Sequence, residues 1–172
     1  MDESALLRFY RGAGTDHRGR RLADILAFDE ARLESTHDFI QWLFPLPELS
    51  GANAQAPLLS ATDRAAFAAD PALRAALRRS FDTMLAFYGL ERRGESEGVS
   101  VLRGPRYGER SAEWLERPHN FLRISRMLRS LSLLGCGPEA RAMLACLEGV
   151  FRDHPAAIGE ESLGYWRRAA AS

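Results

Sequence analysis

Two segments concentrate the side chains that can do chemistry. The first, His37-Asp-Phe-Ile-Gln-Trp-Leu-Phe-Pro45, sets an imidazole and a carboxamide four residues apart at His37 and Gln41. On a helix that spacing puts both on one face, beside the apolar side chains of Phe39, Ile40, Trp42, Leu43 and Phe44. A few polar groups on an apolar floor are what a ligand pocket is made of. The same residues also suit a buried helix in which His37 and Gln41 satisfy backbone groups of the proline loop that follows. The second segment, Pro118-His-Asn-Phe-Leu-Arg-Ile-Ser-Arg-Met-Leu-Arg-Ser-Leu131, opens with His119 and Asn120 and carries Arg123, Arg126 and Arg129 three apart. A helix amino terminus and arginine forks both favour an anion, although a solvated or salt-bridged flank has the same composition.

Three functions are compatible with these residues. As a binding module, the chain would line a cleft between a 36–45 helix and a 118–134 helix with His37, Gln41, Trp42, Phe44, His119, Asn120, Arg123 and Arg126. Trp42 and Phe44 would give apolar contact, and Arg123 or Arg126 would hold a carboxylate. The ligand would then be a peptide, a small anionic molecule or a protein. As an enzyme, it would use His37 and His119 as general acid and base over an anionic substrate, since imidazoles titrate in the useful range. As a structural or protein-interaction module, it would use neither. Nucleic acid is not an expected partner, because 23 basic residues balance 23 acidic ones and the chain therefore has no global field to draw in a polyanion.

Absent motifs narrow the choice. The sequence contains no G-x-G-x-x-G, G-x-S-x-G or H-E-x-x-H pattern, and no phosphate-cradling glycine loop precedes a helix. Every basic residue is arginine, which rules out Schiff-base chemistry and a P-loop lysine. The arginine-only, alanine-rich usage is that of a GC-rich, bacterial-looking coding sequence. Cys136 and Cys146 lie ten apart without C-x-x-C spacing or a nearby histidine pair, so they read as reduced packing thiols, and no metal or cofactor is expected. The amino terminus lacks a basic region leading into an apolar run, and no apolar stretch reaches the roughly 18 residues of a membrane span. The expected location is intracellular and cytoplasmic.

The elements that must position these segments follow from periodicity. At 172 residues with 46% hydrophobic and 27% charged side chains, one domain over 1–172 is expected, with loose termini at 1–8 and 167–172. Residues 1–20 read as an extended arm anchored by Phe9 and Tyr10. Leu22, Ile25 and Leu26 begin a short helix, and Ser35 with Asp38 resembles a capping box for a helix that Pro45 stops. Pro45, Pro47, Gly51 and Pro57 mark a loop of about a dozen residues, a length often associated with function. Ser60 with Asp63 caps another helix, and Asp70-Pro71 opens the clearest one. Its stripe is Leu73, Leu77, Phe81, Met84, Leu85 and Tyr88, ended by Gly89 in the left-handed conformation. Residues 91–112, with four glycines and many charges, read as a mobile loop with a hairpin near 99–102, one whose deletion costs little. Further helices carry Phe121, Ile124, Leu128, Leu131 and Leu134; then Met143, Leu147, Val150 and Phe151; and finally Leu163, Tyr165 and Trp166. The fold class is all-α: a compact bundle or irregular array of about six helices with a long proline loop and a glycine-rich loop.

These segments also carry a family resemblance. His37-Asp-Phe-Ile-Gln-Trp-Leu-Phe-Pro45 resembles the H-x-x-I-Q-W-L-F-P signature of the conserved region of opioid growth factor receptors. Met84-Leu-Ala-Phe-Tyr-Gly89 resembles their M-L-x-F-Y-G segment, and His119 to Leu131 their H-N-x-x-R-I-T-R-x-L-x-S-L segment. Phe9-Tyr10-Arg11 and Trp114 fall in matching order, so the likeness covers roughly residues 8–166. It implies a single helical domain and, from the animal members, a receptor for the opioid peptide Met-enkephalin that restrains cell growth and associates with membranes and the nucleus. The sequence stops soon after the resembling region, where the animal receptors continue into a low-complexity tail with basic localisation signals.

Overall fold

The computed structural model describes residues 2–172. Among these residues are eleven α-helices and one two-stranded antiparallel hairpin, so the all-α class holds, with more and shorter helices than periodicity alone suggests. The chain forms two compact units, one ending at Ser80 and the other starting at Phe81.

The amino-terminal unit starts with α1 (Ala5–Tyr10), capped by Ser4, whose hydroxyl accepts from the Leu7 N–H at 3.1 Å. Leu6, Leu7, Phe9 and Tyr10 are buried, which replaces the expected loose terminus with a docked helix. Four buried apolar residues in one and a half turns are enough to outweigh fraying. Then come α2 (Leu22–Leu26), α3 (Glu30–Ser35) and α4 (Ile40–Leu43). The Ser35–Asp38 capping box does not form: α3 is capped by Asp29 and ends at Ser35, and α4 is a single turn entered at Phe39 without a side-chain cap. The carboxylate of Asp38 is engaged by arginines instead.

Helix α5 (Ala61–Ala69) has the capping box that its sequence predicts, with Asp63 N–H on Ser60 Oγ at 3.0 Å and Ser60 N–H on Asp63 Oδ2 at 3.1 Å. The other oxygen of Asp63 accepts from the Ser4 hydroxyl at 2.6 Å, so one buried carboxylate serves the amino ends of α1 and α5. Asp70 opens α6 (Pro71–Tyr88) by accepting from Ala72 N–H at 2.8 Å. The core of this unit is aromatic: Phe9 lies edge-to-face on Trp42 at 5.3 Å, and Tyr10 on Phe67 at 5.1 Å. The Tyr10 hydroxyl donates to the carbonyl of Leu43, which gives this buried ring its polar partner.

The carboxy-terminal unit takes over within α6. Gly89, with φ +77°, ends that helix in the left-handed region as its position predicts. Strands β1 (Leu90–Arg93) and β2 (Ser100–Arg103) then pair antiparallel with Leu90 opposite Arg103, and α7 (Tyr107–Trp114) follows. Residues 91–112 are therefore not a dispensable loop: Val101 and Arg110 are buried, and Arg110 Nε donates to the carbonyl of Phe87 at 2.8 Å. High charge concealed the order here, because one of the arginines is a structural clamp rather than a solvated side chain.

Helices α8 (His119–Leu133), α9 (Gly137–Asp153) and α11 (Glu160–Ala170) pack against one another, and the four-residue α10 (Pro155–Ile158) joins the last two. The stripe Phe121, Ile124, Leu128, Leu131, Leu134 is buried throughout, as are Met143, Leu147 and Val150. Leu163 and Trp166 of α11 are buried while Tyr165 is half exposed, and Ala169 is also buried, so residues 167–170 continue a helix where a loose end was expected. Edge-to-face contacts link Tyr88 to Trp114 at 5.3 Å, Trp114 to Phe121 at 6.4 Å and Phe121 to Trp166 at 5.9 Å. No helix among the described residues is long and apolar enough to cross a membrane.

Candidate functional site

In the amino-terminal unit, the signature segment is organised by Asp38. Its Oδ1 accepts from Arg20 Nη2 at 2.9 Å, its Oδ2 from Arg18 Nε at 3.0 Å, and His17 Nε2 stands 3.6 Å from the same Oδ2. The two arginines come from a turn wrapped around buried Asp16, whose Oδ1 takes the N–H groups of Arg18 and Arg20 at 2.9 Å each, while Oδ2 takes Arg20 Nε at 2.7 Å. An aspartate accepting from the backbone two residues on is a common turn device; here it turns a short loop into a fixed pair of guanidinium donors. Burial raises the Asp38 carboxyl, but the hydrogen bonds and charge of Arg20, then Arg18, with His17 adding, outweigh it and hold the group below the usual aspartate range.

A depressed carboxyl binds its proton less readily in the folded than in the unfolded chain. The stability that Asp38 contributes is therefore complete above the ordinary aspartate range and is lost as pH falls through its folded value. Asp38→Asn is expected to flatten the acid limb of stability below about pH 4, measured as the urea midpoint across acidic buffers. An acid limb identical to that of the parent chain would contradict this.

The predicted residues of this unit take different places. Gln41 is buried, at 3% exposure. Its Nε2 donates to the His37 carbonyl at 3.2 Å and its Oε1 accepts from Asn53 Nδ2 at 3.4 Å, while Asn53 also reaches the Asp38 carbonyl at 3.3 Å. Gln41 and Asn53 thus fasten the proline loop to the signature segment. The His37 side chain is exposed and does not share a helical face with Gln41, because the helix starts only at Ile40. Trp42 and Phe44 are buried, with Trp42 Nε1 donating to His17 Nδ1 at 3.1 Å. The proline loop is closed at its base by a bridge between Leu46 and Leu58, with Leu59 N–H on the Leu46 carbonyl at 3.0 Å. Leu49 and Leu58 stand out from this loop at 80% and 48% exposure.

In the carboxy-terminal unit, α8 begins at His119, half-buried, followed by fully buried Asn120. Arg123 is 5% exposed, whereas Arg126 and Arg129 are half-buried. The three arginines do not form one outer flank, since each three-residue step falls about 60° short of a full turn and Arg123 is rotated into the protein. A buried guanidinium has to be met by acceptors, which makes Arg123 a structural cation first. Cys136 is buried and Cys146 half-buried, and neither is in a disulfide.

Sequence reading missed Asp16, His17, Arg18, Arg20 and Asn53. The available signal was Asp16 at the head of a turn closing at Gly19; its partner Asp38 is distant in sequence. A separate groove of about 370 Å³ runs between Tyr10, Arg11 and the α6 residues Ala72, Leu73, Ala75, Ala76 and Arg79. Arg11 there already holds Glu3 at 2.6 Å and Asp70 at 2.5 Å, so its charge is met within the protein. Among the described residues no cluster of three or more His, Cys, Asp or Glu side chains is arranged to hold a metal ion.

The model of the opioid growth factor receptor (OGFr) conserved region matches residues 3–170. The chain is 39% identical over 103 residues to the opioid growth factor receptor of Mus musculus, an alignment covering 60% of this chain and 16% of that protein. The identity to the Homo sapiens opioid growth factor receptor is also 39% over 103 residues, covering 60% of this chain and 15% of that one. The opioid growth factor receptor-like protein 1 of Xenopus tropicalis is 38% identical over 110 residues, 62% of this chain and 20% of that protein. The matched region thus spans a fifth or less of these relatives' length. No solved structure matches.

Proposed function

Because the chain belongs to the opioid growth factor receptor conserved-region family, we infer that it is a non-enzymatic recognition module for a peptide or small amphipathic ligand. The observation that carries this reading is the proline loop. It is tied down at its base by the Leu46–Leu58 bridge and at its middle by Asn53, yet presents Leu49 and Leu58 to solvent, and His37 of the signature segment is exposed as well. Apolar side chains held out on a fastened loop offer contact area with little ordering left to lose on binding. In this reading His37 donates to a ligand carbonyl or carboxylate, and Gln41, Trp42 and Phe44 act from beneath by fixing the loop and helix. In the carboxy-terminal unit, half-buried His119 at the start of α8 and half-buried Arg126 are the groups suited to a ligand anion. Each half is tested by its own substitutions.

Calorimetric titration with Met-enkephalin, which joins aromatic rings to a terminal carboxylate, is the first measurement, and selection from a random peptide display library is the second. Binding by either route should weaken about tenfold, or about 1.4 kcal/mol, in a Leu49→Ala, Leu58→Ala double variant. Anion binding by the carboxy-terminal unit on its own, read by titration with acetate, should weaken separately in Arg126→Ala. No heat with Met-enkephalin together with no enriched peptide would overturn the reading, as would full affinity in both variants.

A further inference from the structure

His17 sits between two partners that ask for the same protonation state. Its Nδ1 accepts the Trp42 indole N–H at 3.1 Å, so Nδ1 carries a lone pair and the ring proton is on Nε2. That Nε2 faces Asp38 Oδ2 at 3.6 Å, and the imidazole lies nearly parallel to the indole, at 18° and 6.3 Å between centroids. The His17 side chain is only 12% exposed. The charged groups around it are Asp38 from the stretch before α4, and Arg18, Arg20 and Asp16 from its own turn; α4 supplies the uncharged Trp42.

We propose that His17 is a pH-operated clasp on the signature helix: neutral, it fastens Trp42 to the Asp16–Arg20 turn, and protonated, it lets Trp42 go. A second ring proton goes onto Nδ1, where it meets the indole N–H, and two donors 3.1 Å apart cannot share a bond. The imidazolium is then kept by the Asp38 carboxylate, while Arg18 and Arg20, already on that carboxylate, oppose the added charge. The turn stays docked through Arg18, Arg20 and Asp38, so the change is confined to the bond between His17 and Trp42. Acid therefore removes one tie on the helix from which Gln41 holds the proline loop, without unfolding the turn.

The test uses the whole chain and no ligand. Trp114 and Trp166 donate their indole N–H groups to the carbonyls of Tyr88 and Phe121, each at 3.0 Å, and neither acceptor titrates. In 15N-labelled protein acidified stepwise from neutral pH, the Trp42 indole signal is expected to shift along the same single-proton curve as the His17 ring carbons. The Trp114 and Trp166 signals stay in place. In His17→Gln, which keeps an acceptor but cannot titrate, the Trp42 shift disappears. A Trp42 signal that stays fixed while the His17 ring titrates would overturn the clasp, as would a shift that persists in His17→Gln or three indole signals that move together.

Discussion

Replacing Trp114 by alanine is expected to cost about 3–5 kcal/mol of folding stability, the range for deleting a large buried aromatic. The ring is fully buried and stands in the edge-to-face series between Tyr88 and Phe121. Two losses add. Removing the indole leaves a cavity that the stiff neighbouring rings cannot collapse into, and the Tyr88 carbonyl loses the N–H that reaches it at 3.0 Å. A buried carbonyl without its donor is itself worth about 1–3 kcal/mol. Trp114→Phe separates the two, since it keeps most of the area and one face of the aromatic contact but not the donor, and it should fall between alanine and the parent. Urea unfolding followed by circular dichroism reads both variants; a loss below about 1 kcal/mol for alanine would mean that α7 contributes no core to its unit.

The second large effect is at Gly89. A side chain there is opposed twice: φ is +77°, and an added Cβ would stand 2.7 Å from Tyr107 Cα and 3.0 Å from Tyr107 N. Both atoms are backbone, so nothing flexible can move aside. The left-handed conformation costs a residue with a Cβ about 1–2 kcal/mol, and overpacking against a fixed neighbour adds about 1–3 kcal/mol. Gly89→Ala is therefore expected to lose about 2–4 kcal/mol, near the sum of the lower ends and above. The same close approach lets Gly104 N–H reach the Gly89 carbonyl at 2.9 Å, which closes the hairpin onto the end of α6. Proteolysis provides an independent readout: trypsin should cut at Arg103 or Arg106 faster in Gly89→Ala. Parent-like stability and cutting would show that the end of α6 and the start of α7 move apart at little cost.

What the sequence revealed about fold and site depended on the range of the interaction. Ser60 with Asp63, Asp70 with Pro71, and Gly89 were legible because each acts on atoms within a turn of itself. Ser35 with Asp38 showed the same local pattern and failed, because two arginines from the Asp16 turn claim the Asp38 carboxylate. The common face expected for His37 and Gln41 needed a helix that does not begin until Ile40. Gln41 instead ties His37 and Asn53 together through its amide. The Asp16–Arg20 turn was read as part of an arm because glycines and charges carry no periodicity, and nothing in its own residues points to a histidine accepting from Trp42. The stretch 91–112 was obscured for the same reason, since beyond its ion pair with Glu113 the buried Arg110 is held by the Phe87 carbonyl, 23 residues away in sequence.

The Leu46–Leu58 bridge has a use beyond holding the proline loop. A loop whose two ends are joined by main-chain contact can lengthen at its tip without moving its base, and doubling a flexible loop adds only about 0.6 kcal/mol of closure entropy. Gly51 and Ala52 are both exposed at that tip. Foreign sequence spliced between them, whether by evolution or by a protein engineer grafting an epitope or a reporter, would be displayed from a fixed stem, which makes this loop the natural insertion port of the fold.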